Sequence, residues 1–354
     1  MIDTLRKDPR KRNLAILAAI ALVSVLLAMF ALAQQAAETG SKYQVQTFFP
    51  HLPGQAQHIA RIHIVSRQHG AFDVAFNPRK GWVLPQHSDY PVSFEQLRST
   101  VVGIAALQTV QPETAEPDWF HYIGVDGPPK GDGVLIELQD EKGNSLARLI
   151  AGKTTDIGDP GGAVGLYVRK PDSNQSWLAR SVFEPKSDPA DWLDKNILLI
   201  DRARIQSVDV VAANGPSYSV HRDKPSDADF AISPIPAGRE PAYAGAGDPL
   251  AGAVTGFTFD DVKPATALDF SDAQRVVTKT FDGLTVTVQI VQNGGAIWAT
   301  LYAEAAPGKP DAAREAREID AHADGWAYRL PAYKGQLFMT TLDSLLKPLA
   351  PAKK

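Results

Sequence analysis

Four histidines, His51, His58, His63 and His69, fall within nineteen residues, and imidazole is the commonest side-chain ligand for transition metals. Their spacings of seven, five and six match neither His-x-His along a strand nor the i, i+4 pair of a metal-binding helix. If Ile62 and Ile64 face a core, His63 points the other way. The four read as solvated surface histidines, and no metal is assigned. Ser344-Leu345-Leu346-Lys347 has the Ser-x-x-Lys spacing of penicillin-binding nucleophiles. That chemistry also needs a second serine loop and a Lys-Thr-Gly strand, and the chain has neither. There is no Gly-x-Ser-x-Gly elbow either.

Asp156-Ile157-Gly158-Asp159-Pro160-Gly161-Gly162 is rich in glycine but lacks the Gly-Lys-Ser/Thr end of a phosphate loop and the Gly-x-Gly-x-x-Gly of a dinucleotide site. It reads as a tight connection between strands. Asp188, Asp191 and Asp194 recur every three residues, and helix capping with dipole compensation accounts for the first two. A carboxylate hydrolase built on Asp159, Asp188 and Asp191 stands as the third functional reading, since such groups converge only in space. No catalytic residue and no cofactor is assigned. Of six tryptophans, Trp82, Trp177, Trp192, Trp298 and Trp326 are spread one per element, as core anchors are. Trp119, in the loop Glu116-Pro117-Asp118-Trp119-Phe120, is the one side chain singled out for contact with a partner.

The elements that would carry these residues begin with an apolar run. Leu14 to Ala33 has no charge, and Arg6, Lys7, Arg10, Lys11 and Arg12 precede it. A helix of that length spans roughly 30 Å, the thickness of a hydrocarbon core, and the basic side stays in the cytoplasm. The expectation is a transmembrane signal-anchor at 14–33 that contacts membrane lipid. Cleavage after Ala33, in Ala31-Leu32-Ala33, is the alternative. The first thirteen residues carry a balance of +3, which leaves −7 of the overall −4 for the remainder. A mildly acidic body has no electrostatic footprint for nucleic acid or for anionic lipid headgroups. With no cysteine, disulfides, thiolate catalysis and cysteine-based metal sites are excluded.

Beyond the anchor one plan is read twice. Ala60–Val65, Ala71–Phe76 and Gly81–Pro85 are strands, and a helix capped by Ser93 runs to about Leu107. The second copy opens with Ala203–Val210, turns at Asn214-Gly215, and continues through Tyr218–His221 and Phe230–Ile232. Asp248-Pro249 then starts a short helix through Val254. Further strands follow in each copy, with Gly143-Asn144, Asp282-Gly283 and Asn293-Gly294 as turns. A helix from Asp311 to about Ala323 and an amphipathic helix from Lys334 to Leu346 close the chain. The expected fold class is α+β: an N-terminal transmembrane helix followed by two tandem, related, β-rich α+β domains. The expected boundaries are a basic tail at 1–13, the anchor at 14–33, a stalk at 34–48, repeats at 49–187 and 188–347, and a tail at 348–354.

A set of segments in fixed order carries a resemblance. It comprises Trp82-Val83-Leu84, Tyr122-Ile123-Gly124-Val125-Asp126, Gly165-Leu166-Tyr167-Val168-Arg169, Asp191-Trp192-Leu193, Phe257-Thr258-Phe259-Asp260-Asp261-Val262 and the run Gly325–Pro331. Together these resemble the bacterial family labelled domain of unknown function 4340. The resemblance implies an accessory component of an ABC-type transporter or gliding-motility-like system, with no catalytic residues to carry over. The expectation is a non-enzymatic, single-pass inner-membrane protein whose periplasmic body binds a transporter or envelope partner. A binding module for glycan or a small ligand, released after Ala33, is the rival.

Overall fold

The computed structural model describes residues 45–212 and 216–348. The expected basic tail, the anchor at 14–33, the Asn214-Gly215 turn and Lys353-Lys354 lie outside the described residues. Short β-branched runs punctuated by Gly and Pro pair into two large sheets, and every pairing is antiparallel. The first holds β1 (Gln46–Thr47), β2 (Ile59–Ser66), β3 (Gly70–Asn77), β4 (Gly81–Leu84), β5 (Tyr90–Pro91), β6 (Gln108–Pro112), β7 (Val134–Asp140), β8 (Ser145–Thr155), β9 (Val164–Arg169) and β10 (Ser176–Ser181). Its order is β1-β6-β10-β9-β8-β7-β2-β3-β4-β5. The second holds β11 (Ile205–Val211), β12 (Tyr218–His221), β13 (Ala231–Ser233), β14 (Asp261–Pro264), β15 (Gln274–Thr280), β16 (Leu284–Asn293), β17 (Ala296–Ala305) and β18 (Trp326–Arg329). Its order is β13-β12-β11-β15-β16-β17-β18-β14.

The eight strands from β4 to β6 in the first sheet follow the same threading as the eight of the second. Three strands run outward, one crosses to the far edge, and four return. Gln46 to Phe48, expected in the stalk, joins the first sheet. Gln46 and Thr47 pair with β6, and buried Phe48 donates its N–H to Leu107 O.

The α+β architecture headed by a transmembrane helix is corrected to a mostly β body. Its described helices are short: α1 (Phe94–Ala105), α2 (Phe120–Ile123), α3 (Asp248–Ala251), α4 (Pro310–Ala323) and α5 (Ala332–Phe338). Among the described residues no helix is long and apolar enough to cross a membrane, so the described chain gives the membrane and signal-anchor reading no support. Chain chemistry shortens the helices. Gly252 ends α3 after one turn. The helix expected to reach Leu346 stops at Phe338, where the Thr340 hydroxyl takes the Leu337 carbonyl at 2.7 Å and the Thr340 carbonyl accepts the Tyr218 hydroxyl at 2.6 Å.

Alternation sets the faces. In β2, Ile62 and Ile64 are fully buried while Arg61 and His63 face outward. The Ser93 hydroxyl caps α1 by accepting the Gln96 N–H. Gly103 lets that helix lie against Phe183, whose side chain would sit 2.5 Å from an added Cβ. Helix α4 turns Ala312, Ala316, Ile319 and Ala323 onto β16 and β17. One buried apolar cluster runs through both sheets. At the junction Tyr90 meets Trp326, Phe259 and Tyr328 edge-on at centroid distances of 4.9, 6.0 and 6.3 Å.

Candidate functional site

Two places gather chemistry at the surface of this scaffold. The first is an aromatic knob on the outer face of the first sheet. Pro117 opens a short turn, the Thr114 hydroxyl accepts the Glu116 N–H at 3.0 Å, and α2 follows at once. Phe120 turns inward and is 5% exposed, packing with Val125 and Ile150 as a small second core. Its sequence neighbours turn outward: Trp119 is 60% exposed, Tyr122 is 63% exposed, and His121 is exposed as well. The Trp119 and Tyr122 rings lie 5.7 Å apart at 51°, and the His121 ring sits 3.9 Å from Tyr122.

The base of the knob is fixed. Buried Arg169 stacks on Phe120 at 4.6 Å, donates Nε–H to Val125 O at 3.1 Å, and holds the carbonyls of Lys170, Pro171 and Ser173. Lys153 Nζ donates to Tyr122 O at 2.9 Å. Gly124 ends α2 at φ 71°, a conformation glycine adopts without strain. Gly152 admits the knob onto β8, since a Cβ there would lie 2.4 Å from Ile123 O. A rigid aromatic surface loses little conformational entropy when a partner covers it.

The second place is a polar cleft of about 610 Å3 where the sheets meet, lined by His69, His87, Asp188, Asp191, Asp261 and Arg329 among others. His87 Nε2 lies 3.4 Å from Asp261 Oδ1, and Arg329 Nη1 lies 3.8 Å from Asp261 Oδ2. Among the described residues, His87 Nδ1 is buried with no hydrogen-bond partner. The chain leaves His87 through Ser88 and Asp89, both left-handed at φ 59° and 63°. Burial by itself would raise the Asp261 carboxyl. The hydrogen bond with His87, the Val262 N–H at 2.8 Å and the Arg329 charge outweigh it and hold the group below the usual carboxylate range.

That depression has a signed consequence. An unfolded Asp titrates near about 3.9, so stability from this site is present above that pH and is lost as pH falls through the lower folded value. Asp261→Asn is expected to flatten the acid limb of a stability–pH profile below about pH 4. It should also cost about 1–2 kcal/mol at neutral pH, because the amide loses the charge in these hydrogen bonds. Urea titrations at several pH values check both.

The residues singled out by sequence do not converge on one centre. His51 and His58 are exposed, His63 Nδ1 lies 2.7 Å from its cross-strand neighbour Asp73, and His69 Nδ1 lies 3.9 Å from Asp188. Among the described residues no group of three or more His, Asp or Glu is placed to hold a metal ion. Asp159 pairs with Arg180 and accepts the Gly161 N–H, and Arg180 holds its carboxyl below the usual range. Asp188 caps its turn through Ala190 N at 2.8 Å. The Ser344 hydroxyl donates to Thr341 O, and Lys347 pairs with Glu240 at 2.7 Å. Trp192 is fully buried, and Trp298 is 7% exposed. Sequence reasoning picked Trp119 but missed His121 and Tyr122. The signal was the unbroken run Trp119-Phe120-His121-Tyr122, in which Trp119 and Tyr122, three apart on a helical turn, share the face opposite Phe120.

A family model described as "Domain of unknown function (DUF4340)" matches residues 82–274, more than half of the chain. The chain belongs to that family. No curated protein and no solved structure matches it.

Proposed function

We propose that this member of the DUF4340 family is a non-catalytic recognition protein that meets a polypeptide partner through the aromatic knob. The observation that carries the reading is the exposure of Trp119 and Tyr122 on a base pinned by Phe120 and Arg169. Trp and Tyr dominate binding hot spots because they bury large area for few rotors. The junction cleft is the weaker candidate, since its charges are largely committed to one another: Asp261 to His87 and Arg329, and Asp188 to its own turn. The resemblance to accessory components supports a partner drawn from an ABC-type transport or envelope assembly.

The test is a photo-crosslinking amino acid at position 122 of the full chain, produced in its own cells. The expected result is one discrete adduct with another polypeptide, lost when Trp119→Ala is added. The same crosslinker at Tyr302, 41% exposed on β17, should not form it. Trp119→Ala should change unfolding free energy by no more than about 0.5 kcal/mol, as for other exposed positions. Adducts with the chain itself alone, or an adduct indifferent to Trp119, would overturn the reading.

A further inference from the structure

We infer that the partner group seated on the knob is cationic, an arginine or lysine side chain of a polypeptide, an inference that rests on the knob being the recognition surface. Indole and phenol faces carry negative quadrupole charge and attract a cation placed over them. Several aromatic faces elsewhere are covered from within: Lys263 lies over Trp298 at 3.9 Å, Arg169 over Phe120 at 4.6 Å and Arg222 over Phe230 at 4.8 Å. Among the described residues no lysine or arginine lies over Trp119 or Tyr122, the two rings held open to solvent.

Charge complementarity points the same way. Glu116 and Asp118 lie in the turn that leads into Trp119, both are exposed, and among the described residues neither carboxylate has a hydrogen bond or ion pair. The nearby cation Lys153 has its ammonium committed to the Tyr122 carbonyl. A cation entering here meets the Trp119 ring, the side of the Tyr122 ring that His121 leaves open, and the pull of two unpaired carboxylates close by in the chain. An anionic partner meets repulsion, and a neutral sugar can use the rings but not the charges. The guanidinium is flat, weakly hydrated and able to stack while its N–H groups reach a carboxylate, so arginine fits better than lysine.

Full chain labelled with 5-fluorotryptophan gives fluorine resonances from its tryptophans, and Trp119→Phe identifies the one from the knob. An acetylated Gly-Arg repeat peptide is expected to shift that resonance, a Gly-Lys peptide to shift it at higher concentration, and a Gly-Glu peptide to leave it in place. Added salt should weaken the Gly-Arg effect. The double variant Glu116→Gln, Asp118→Asn should raise Kd by about tenfold, from two lost solvent-exposed ion pairs. Tyr122→Ala should weaken binding without unfolding the chain, checked by its unfolding midpoint.

A Trp119 shift with cellohexaose or a Gly-Ser peptide that ignores the double variant would overturn the cationic assignment and leave the knob as a recognition surface. A silent Trp119 resonance with every probe would overturn the assignment too. In that case the crosslink at position 122 decides whether the knob reading falls with it.

Discussion

Trp192→Ala is expected to lower the unfolding free energy by about 3–5 kcal/mol, the range for deleting a large aromatic side chain from a packed interior. Against a usual total of about 5–15 kcal/mol, that is enough to leave a sizeable unfolded population. Trp192 is fully buried, meets Phe72 edge-on at 6.4 Å, and donates Nε1–H to Lys186 O at 3.1 Å. Its backbone carbonyl accepts the N–H of Ser93, the residue that caps α1. The next residues bind the connecting segment to β5: Leu193 bridges Val92, and the Asp194 N–H goes to Pro91 O. The Tyr90 hydroxyl completes the staple by donating to Asp194 O at 2.9 Å. A cavity at Trp192 therefore sits beside the rings through which the two sheets touch. Urea titration should show a lower midpoint with little change in slope, and Trp192→Phe should lose less. Circular dichroism and tryptophan fluorescence should report one shared transition, because the buried cluster is continuous through both sheets. A loss under about 1 kcal/mol would mean that the junction does not lean on this side chain.

What could be read from sequence was local, and what could not was long-range. The expected strands Ala60–Val65 and Ala71–Phe76 lie within one residue of β2 and β3 at each end, because alternation over one buried face and a glycine between the runs are local signals. Asp282-Gly283 marked its turn through dihedrals that glycine adopts freely, with Gly283 at φ 96°. Ser93 was legible as a cap for the same reason of local chemistry. Asp248 was not. It reads as an N-cap before proline, yet Gly247 takes that position while the Asp248 carboxylate accepts the Phe230 N–H and pairs with Arg202 at 2.8 Å. Those partners are distant in sequence, so no local pattern announces them. Helix α5 was overestimated because Leu342 and Leu345 continue its apolar stripe, while Tyr218 competes for the Thr340 carbonyl. The balance of sheet over helix has the same origin, since a strand such as β6 forms only where remote strands, β1 and β10, arrive on either side of it. At the knob, Trp119 was legible from its loop. Its pairing with Tyr122 needed the knowledge that Phe120 is the ring that turns inward.

Arg222 carries the other large expected effect, and it is invisible to any motif. It is 7% exposed, stacked between Phe230 and Phe281 at 4.8 and 5.6 Å, and it spends all five N–H donors on backbone carbonyls. Nε donates to Ile205 O, Nη1 to Pro225 O and Asp227 O, and Nη2 to Arg202 O and Ala203 O. Four of these acceptors lie in the turn before β11 and the loop after β12, and the fifth, Ile205 O, is on the first residue of β11. One guanidinium thus does for a corner of the second sheet what Arg169 does beneath the knob. Arg222→Met keeps much of the apolar stem but removes five donors at once; Arg202 O still accepts the Ile205 N–H, and each of the other carbonyls carries a desolvation cost of about 1–3 kcal/mol where water cannot replace the donor. Relaxation lets solvent reach some of them, so the expected net loss is about 3–5 kcal/mol. Arg222→Lys should recover only part, because three ammonium donors on one atom cannot span acceptors spread around a planar fork. Hydrogen exchange distinguishes this from general weakening: amides of β11 and β12 should lose protection before those of β7 and β8. Full stability in Arg222→Lys would show that the charge alone, and not the fork, holds the corner.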